Sequence, residues 1–109
     1  MKDNVVKDKS LEFAVRIVNL YKFLVNEQKE FVMSKQILRS GTSIGANIRE
    51  AEQAQSRADF INKLNRALKE ANETEYWLEL LIRTEYITRE QYESINNDST
   101  EINKLLISI

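Results

Sequence analysis

The scarcity of turn-forming residues most constrains what this 109-residue chain can fold into, since it contains no proline and only two glycines. Short strands joined by tight turns depend on glycine, proline and a few polar residues at defined positions. The composition therefore argues against an all-β fold. Histidine and cysteine are also absent, which excludes a disulfide framework, an ordinary zinc site and a histidine general base.

The rest of the composition fits one small folded domain over residues 1–109. The chain is 42% hydrophobic and 30% charged, with a net charge of −1, which is unlike a disordered or a membrane protein. No apolar stretch approaches the length of a signal or membrane segment, so we expect a cytoplasmic protein. Residues 1–57 carry +3 and residues 58–109 carry −4, a polarity much milder than the basic face of typical nucleic-acid-binding proteins.

Helical spacing of apolar residues is clearest between Leu11 and Val25, where two adjoining stripes run along one predicted helix. One stripe consists of Leu11, Ala14, Val18, Tyr21 and Val25, and the other of Phe13, Ile17, Leu20 and Leu24. A helix on the outside of an isolated bundle needs only one stripe. We therefore expect this first helix to be covered on two sides.

Three further helices are predicted from capping signals at Ser34, Ser56 and Thr88. Thr88 has the clearest signal, because Gln91 three residues later completes a capping box. The seam of the third helix contains Phe60, Leu64, Ala67, Ala71, Leu78 and Leu81. The seam of the fourth contains Tyr92, Ile95, Ser99, Ile102, Leu106 and Ile109. Short connections make sequential helices antiparallel neighbours, which predicts an all-α, up-down-up-down four-helix bundle.

Both glycines fall inside the second helix, four residues apart. Gly41 and Gly45 do not fit a phosphate-binding loop, which needs glycines five apart followed by lysine. On one helical face they form a groove that another helix can approach closely, and we interpret them as packing residues.

Polar residues also follow helical spacing along this second helix: Arg39, Ser43, Asn47 and Glu50. They are either a solvated face or part of a shared seam. In the second interpretation Asn47 sets the register of an interface, as a lone buried asparagine does in coiled coils.

The segment Ser40–Glu50 reads SGTSIGANIRE and is followed by Asp59-Phe60-Ile61. It closely resembles the signature of bacterial four-helix-bundle proteins first noticed as reading frames inside intervening sequences of 23S ribosomal RNA genes. The resemblance covers Lys9 to about Leu106. It implies an antiparallel four-helix protomer assembled into a homopentameric ring. The chain is also similar to the accessory proteins of diversity-generating retroelements, which form such rings and engage a reverse transcriptase and nucleic acid.

Two positions depart from the family pattern without breaking a helix. Ala51 stands where the family usually has glycine, and Lys69-Glu70 stands where it often has Gly-Ser. The predicted packing and interface residues of the motif are Ser40, Gly41, Ser43, Ile44, Gly45, Asn47, Ile48 and Glu50.

Three functional hypotheses follow, and the first is a non-catalytic oligomeric scaffold or adaptor without a cofactor. The second is an accessory protein that binds RNA or DNA as a pentameric ring. Its candidate contacts are Lys35, Arg39, Arg49, Arg57, Lys63 and Arg66. The third is a Mg²⁺-dependent nucleotide pyrophosphohydrolase that uses the E-x-x-E pairs Glu70/Glu73 or Glu90/Glu93. Such pairs are common on charged helices, and the E-x-x-D partner motif of those enzymes is absent, so we expect no enzymatic activity.

Overall fold

Four α-helices form the protein in its computed structural model, which describes residues 2–109. They are α1 (Lys2–Asn26), α2 (Met33–Glu52), α3 (Arg57–Arg83) and α4 (Arg89–Ile107). No strand occurs between residues 2 and 109, so the prediction of an all-α fold with four helices is confirmed. Over the same range, none of the helices is long and apolar enough to cross a bilayer.

Each helix packs against two others, and the core lies between all four. The contacting pairs are α1 with α2, α2 with α3, α3 with α4, and α4 with α1. The other two pairs, α1 with α3 and α2 with α4, face each other across the core without close backbone contact. The largest fully buried apolar side chains are Phe13, Ile17, Leu24, Ile37, Ile44, Leu78, Leu81, Ile102 and Val6.

The first helix begins at Lys2, nine residues before the start of its predicted stripes. Val6, within this added segment, is fully buried and belongs to the core. Only one of the two predicted stripes is buried within the protomer, the one that contains Phe13 and Ile17. Residues of the other stripe are half-buried except Leu11, which is exposed.

The start of α2 corrects the prediction that Ser34 is its cap. The helix begins at Met33. The side chain of the N-cap residue, Val32, makes no hydrogen bond to the first turn. Instead the Glu30 carboxylate accepts from the backbone N–H groups of Val32, Met33 and Ser34, at 3.1, 3.0 and 2.7 Å. The Ser34 hydroxyl is buried and has no hydrogen-bond partner. A carboxylate does this better than a serine, because it offers two charged oxygens to a helix N-terminus.

The caps predicted for α3 and α4 are confirmed. The Ser56 hydroxyl accepts from the N–H of Asp59 at 3.1 Å, and Thr88 with Gln91 forms a complete capping box. The far end of α4 differs from its predicted seam, because the helix stops at Ile107 and Ile109 is exposed.

The turn after α3 has the hydrogen bonds of a Schellman motif. The N–H of Tyr86 bonds the carbonyl of Leu81, and that of Glu85 bonds the carbonyl of Ile82. Glu85 occupies the left-handed position, with φ of 67°, where glycine is the usual residue. A non-glycine residue in this conformation is uncommon. Both glycines of the chain lie inside α2, so neither is at this turn.

Candidate functional site

The two glycines of α2 face α1. A Cβ added at Gly41 would lie 2.7 Å from Cγ1 of Ile17, and one added at Gly45 would lie 3.2 Å from the Ser10 hydroxyl oxygen. Ile17 and Ser10 are both buried. The groove that the glycines form is therefore filled by α1 of the same protomer, and these residues place α2 rather than offer a site for a ligand.

The other motif residues divide between the core and the side of α2 that faces α3. Ile44 and Ile48 are buried in the core. The Ser40 hydroxyl accepts a hydrogen bond from Thr74 Oγ1 on α3 at 2.9 Å, in a fully buried position. Sequence reasoning missed Thr74, because a threonine at a seam position carries no hydrophobic signal.

Ser43 and Asn47 satisfy their polar groups within α2. The Ser43 hydroxyl donates to the carbonyl of Arg39 at 2.6 Å, and the Asn47 amide donates to the carbonyl of Ser43 at 2.9 Å. Both side chains are half-buried. Asn47 opens onto a surface cavity of about 480 Å³ between α2 and α3 that is also lined by Arg66, Lys69, Glu70 and Glu73.

Arg39 is the centre of the largest charged network on this side of the protein. Its guanidinium donates to the Glu70 carboxylate at 3.2 Å and to that of Glu73. The indole N–H of Trp77 also donates to Glu73, at 3.1 Å. The bonds from Arg39 and then Trp77 lower the pKa of Glu73, and the two carboxylates raise the pKa of Arg39.

A second ion pair joins α2 to α3 nearer the loop between them. The Lys63 ammonium lies 2.8 Å from a carboxylate oxygen of Glu50. This bond lowers the pKa of Glu50, with a smaller contribution from the charge of Arg66. Glu50 and Lys63 also line a surface cavity of about 720 Å³ with Arg49 and Asp59.

The six candidate nucleic-acid contacts do not form one uniform patch. Arg39 and Lys63 are neutralised by the carboxylates of the two networks. The other four are exposed and make no ion pair with residues 5–109: Lys35, Arg49, Arg57 and Arg66.

The E-x-x-E pairs offer little to a metal ion. Glu70 and Glu73 both bond Arg39, so a cation would have to displace the guanidinium. Glu90 and Glu93 are exposed on α4. Within the described part of the chain, no group of three or more potential ligands is arranged to hold a metal.

The structure is a strand-free arrangement of four helices around one core, in which a glycine-containing second helix fits against the first. These features define an all-α, four-helix protein. Its sequence matches the 23S rRNA-intervening sequence protein family over residues 2–108, and the chain belongs to that family. No curated protein matches the chain significantly.

The fold is also similar to a crystal structure of a protein with unknown function from the S23 ribosomal protein family of Bacteroides thetaiotaomicron VPI-5482. The two chains are 99% identical, with a TM-score of 0.98. The similarity covers 99% of this chain and 96% of that one.

Proposed function

We propose that the protein is a non-catalytic scaffold or adaptor that assembles from antiparallel up-down-up-down protomers into a homopentameric ring. The observation that carries the proposal is the apolar strip on the outer side of α1. Leu11 and Val15 are 50% and 54% exposed, and Ala14, Val18 and Val25 beside them are half-buried. Because these residues recur at helical spacing, they form a continuous surface rather than scattered exposed side chains.

The direction of the helices is supported by the order of contacts along them. Between α1 and α2, Lys7 pairs with Glu52, whereas Ile17, further along α1, packs on Gly41, earlier in α2. Between α2 and α3, Ser40 meets Thr74. Further along α2 on the same side, Glu50 meets Lys63, earlier in α3.

A ring is the assembly that the family resemblance implies, and it would cover this surface in every copy. In a closed ring every protomer uses the same pair of surfaces, so a single strip on α1 is covered in all copies. The wide apolar face of α1 also agrees with the homopentamer that the family resemblance implies. The third hypothesis, a metal-dependent hydrolase, is disfavoured because Arg39 already holds the Glu70/Glu73 pair.

Sedimentation velocity at micromolar concentration tests the assembly. We expect a mass about five times that of the 12.8 kDa protomer, and a monomer for Leu11→Glu/Val15→Glu with its helical circular dichroism unchanged. Ile107→Glu is the matched control, because Ile107 is 74% exposed at the end of α4, and it should leave the mass unchanged. A monomeric wild-type protein would overturn the proposal.

A further inference from the structure

The outward face of α3 differs from the rest of the surface in its charge. Nine residues between Arg57 and Tyr76 are exposed, and none of them is acidic. By contrast, the exposed faces of α1 and α4 include Glu12 and Glu93. In a protein with a net charge of −1, an acid-free face of about six turns calls for a physical explanation.

Three of the five acidic residues of α3 bond residues of neighbouring helices. Of the other two, Asp59 is half-buried in the first turn, and Glu79 is exposed beyond Tyr76 and pairs with Arg83 of the same helix. Glu70 and Glu73 bond Arg39 on α2. On the other side, Glu75 accepts from the Ser99 hydroxyl at 3.2 Å and the Asn103 amide at 2.9 Å, both on α4. Internal pairing therefore consumes these carboxylates and leaves the outward face with the opposite charge.

Three cations remain on that face: Arg57, Arg66 and Lys69. None of them makes an ion pair with the part of the chain whose side chains the structure describes, residues 5–109. Arg66 contributes to the lowered pKa of Glu50, but the carboxylate of Glu50 bonds Lys63 instead. The cations are thus available to anions from outside the protomer.

Amide groups and an aromatic ring complete the face. Asn62, Asn65 and Asn72 are exposed between and beside the cations. Tyr76 is 60% exposed, and its ring packs edge-on against Trp77 with the centroids 5.1 Å apart. Trp77 is itself fixed by its hydrogen bond to Glu73, so the tyrosine ring is positioned without being covered.

We propose that the outer face of α3 from Arg57 to Tyr76 binds a single-stranded nucleic acid. The cations would contact phosphates, the asparagines would hydrogen-bond sugars and base edges, and Tyr76 would stack on a base. Single-strand binders combine unpaired basic residues with exposed aromatic rings in this way. At 1.5 Å per residue the face is about 29 Å long, which is enough for several nucleotides. A protein partner of acidic character would not require the exposed ring and the three amides.

Fluorescence anisotropy with a labelled 20-nucleotide single-stranded RNA, and with DNA of the same sequence, tests the proposal at 50 mM salt. We expect saturable binding by the full chain and a loss of about tenfold or more for Arg66→Glu/Lys69→Glu. For two lost phosphate contacts, the negative slope of log K against log salt should become shallower by about 1.4, from roughly 0.7 for each contact. Tyr76→Ala should weaken binding about fivefold or more with the salt slope unchanged. If the protein binds RNA and DNA with equal affinity, it recognises phosphates and bases. If it binds RNA more tightly, it also recognises the 2′-hydroxyl group.

The matched control is Lys29→Glu/Lys104→Glu, which makes the same change of charge at two exposed positions in the loop after α1 and on α4. It should retain most of the affinity. The proposal is wrong if wild-type protein shows no saturable binding to either strand, or if the control loses as much affinity as Arg66→Glu/Lys69→Glu. It is also wrong if the Arg66/Lys69 variant changes the sedimentation mass, since the face would then join copies of the chain. A monomeric wild-type protein that binds RNA would overturn the scaffold proposal alone.

Discussion

Gly41 is the residue where a single methyl group has the largest predictable consequence. An alanine there gains about 1 kcal/mol of helix propensity, but its Cβ would lie 2.7 and 2.8 Å from the two γ-carbons of Ile17. Ile17 is fully buried and cannot move aside without shifting α1, and overpacking of this kind costs about 1–3 kcal/mol. We expect Gly41→Ala to lower the free energy of unfolding by about 1 kcal/mol in urea titrations.

Gly45→Ala is the matched control, because its closest neighbour is the Ser10 hydroxyl at 3.2 Å. It should cost less than Gly41→Ala. In an Ile17→Ala background the Gly41 substitution should lose its cost, since the new methyl group enters the space that the isoleucine leaves. Equal effects of Gly41→Ala in both backgrounds would contradict the packing explanation.

The carboxylate of Glu73 makes the stability of the folded protein depend on pH. Its pKa in the folded protein is lowered from the ordinary value of 4.5, so its stabilising contribution is present above that value. The contribution is lost as the pH falls through the lower, folded pKa. The side chain is 36% exposed, so solvent screening keeps the contribution below about 1 kcal/mol.

Urea midpoints of wild type and Glu73→Gln at pH 7 and pH 3 measure this contribution. The wild type should be the more stable at pH 7. The difference should shrink at pH 3, below the ordinary pKa of 4.5, because the contribution is lost as the pH falls towards the lowered pKa of the folded state. A difference that stays constant with pH would assign the effect to packing instead of charge.

At the scale of the helix, α2 depends on a cap that comes from outside its own first turn. Glu30 is 7% exposed and accepts three backbone N–H groups. We expect Glu30→Ala to lower the free energy of unfolding by about 1–2 kcal/mol, the usual range for a lost cap. Ser34→Ala should change it by less than about 0.5 kcal/mol or raise it, because the buried hydroxyl has no partner to lose. A larger loss for Ser34→Ala than for Glu30→Ala would restore the serine as the cap.

This cap also shows how far sequence reasoning could go at this scale. Thr88 and Ser56 were predictable because each bonds the N–H three positions further along, a local pattern that the sequence displays. Glu30 was not, although the N–H groups that it bonds lie only two to four positions further along, because glutamate is not among the residue types that usually signal a helix N-cap. The start of α1 was missed for a related reason: only Val5 and Val6 are apolar among its first nine residues, and burial of Val6 requires the neighbouring helices.

The candidate site also has a part that could be predicted from the sequence and a part that could not. The motif around Gly41 and Asn47 could be found from residue types and spacing alone. The acid-free face of α3 could not, because the sequence of that helix contains Glu70, Glu73 and Glu75 beside its cations. Only the pairing of these acids with α2 and α4 separates the charges, and such pairing is a property of tertiary structure.

For the whole molecule, the contact between α1 and α4 closes the cycle of helices and joins residues from opposite ends of the chain. Arg16 holds this contact through its guanidinium, which donates to the Asp98 carboxylate at 2.7 Å, the Ser94 hydroxyl at 2.9 Å and the Ser94 carbonyl at 3.2 Å. Arg16 and Asp98 are both more than a third exposed, so we expect Arg16→Ala to cost about 1 kcal/mol. Arg16→Lys should lose most of the same amount, because an ammonium cannot reproduce the planar set of donors.

If the four helices unfold as one unit, the loss of unfolding free energy in Arg16→Ala should add to the loss in Glu30→Ala, which removes the α2 cap. Arg16 lies about 15 Å along α1 from the helix end that precedes Glu30, beyond the distance at which substitutions usually couple. We therefore expect Arg16→Ala/Glu30→Ala to lose the sum of the two single losses within about 0.5 kcal/mol, in one urea transition. All four proteins must be compared at one concentration, since assembly would add stability that depends on it. Two separate transitions in the double variant would show that α1 can leave α4 while the α1–α2 pair remains folded.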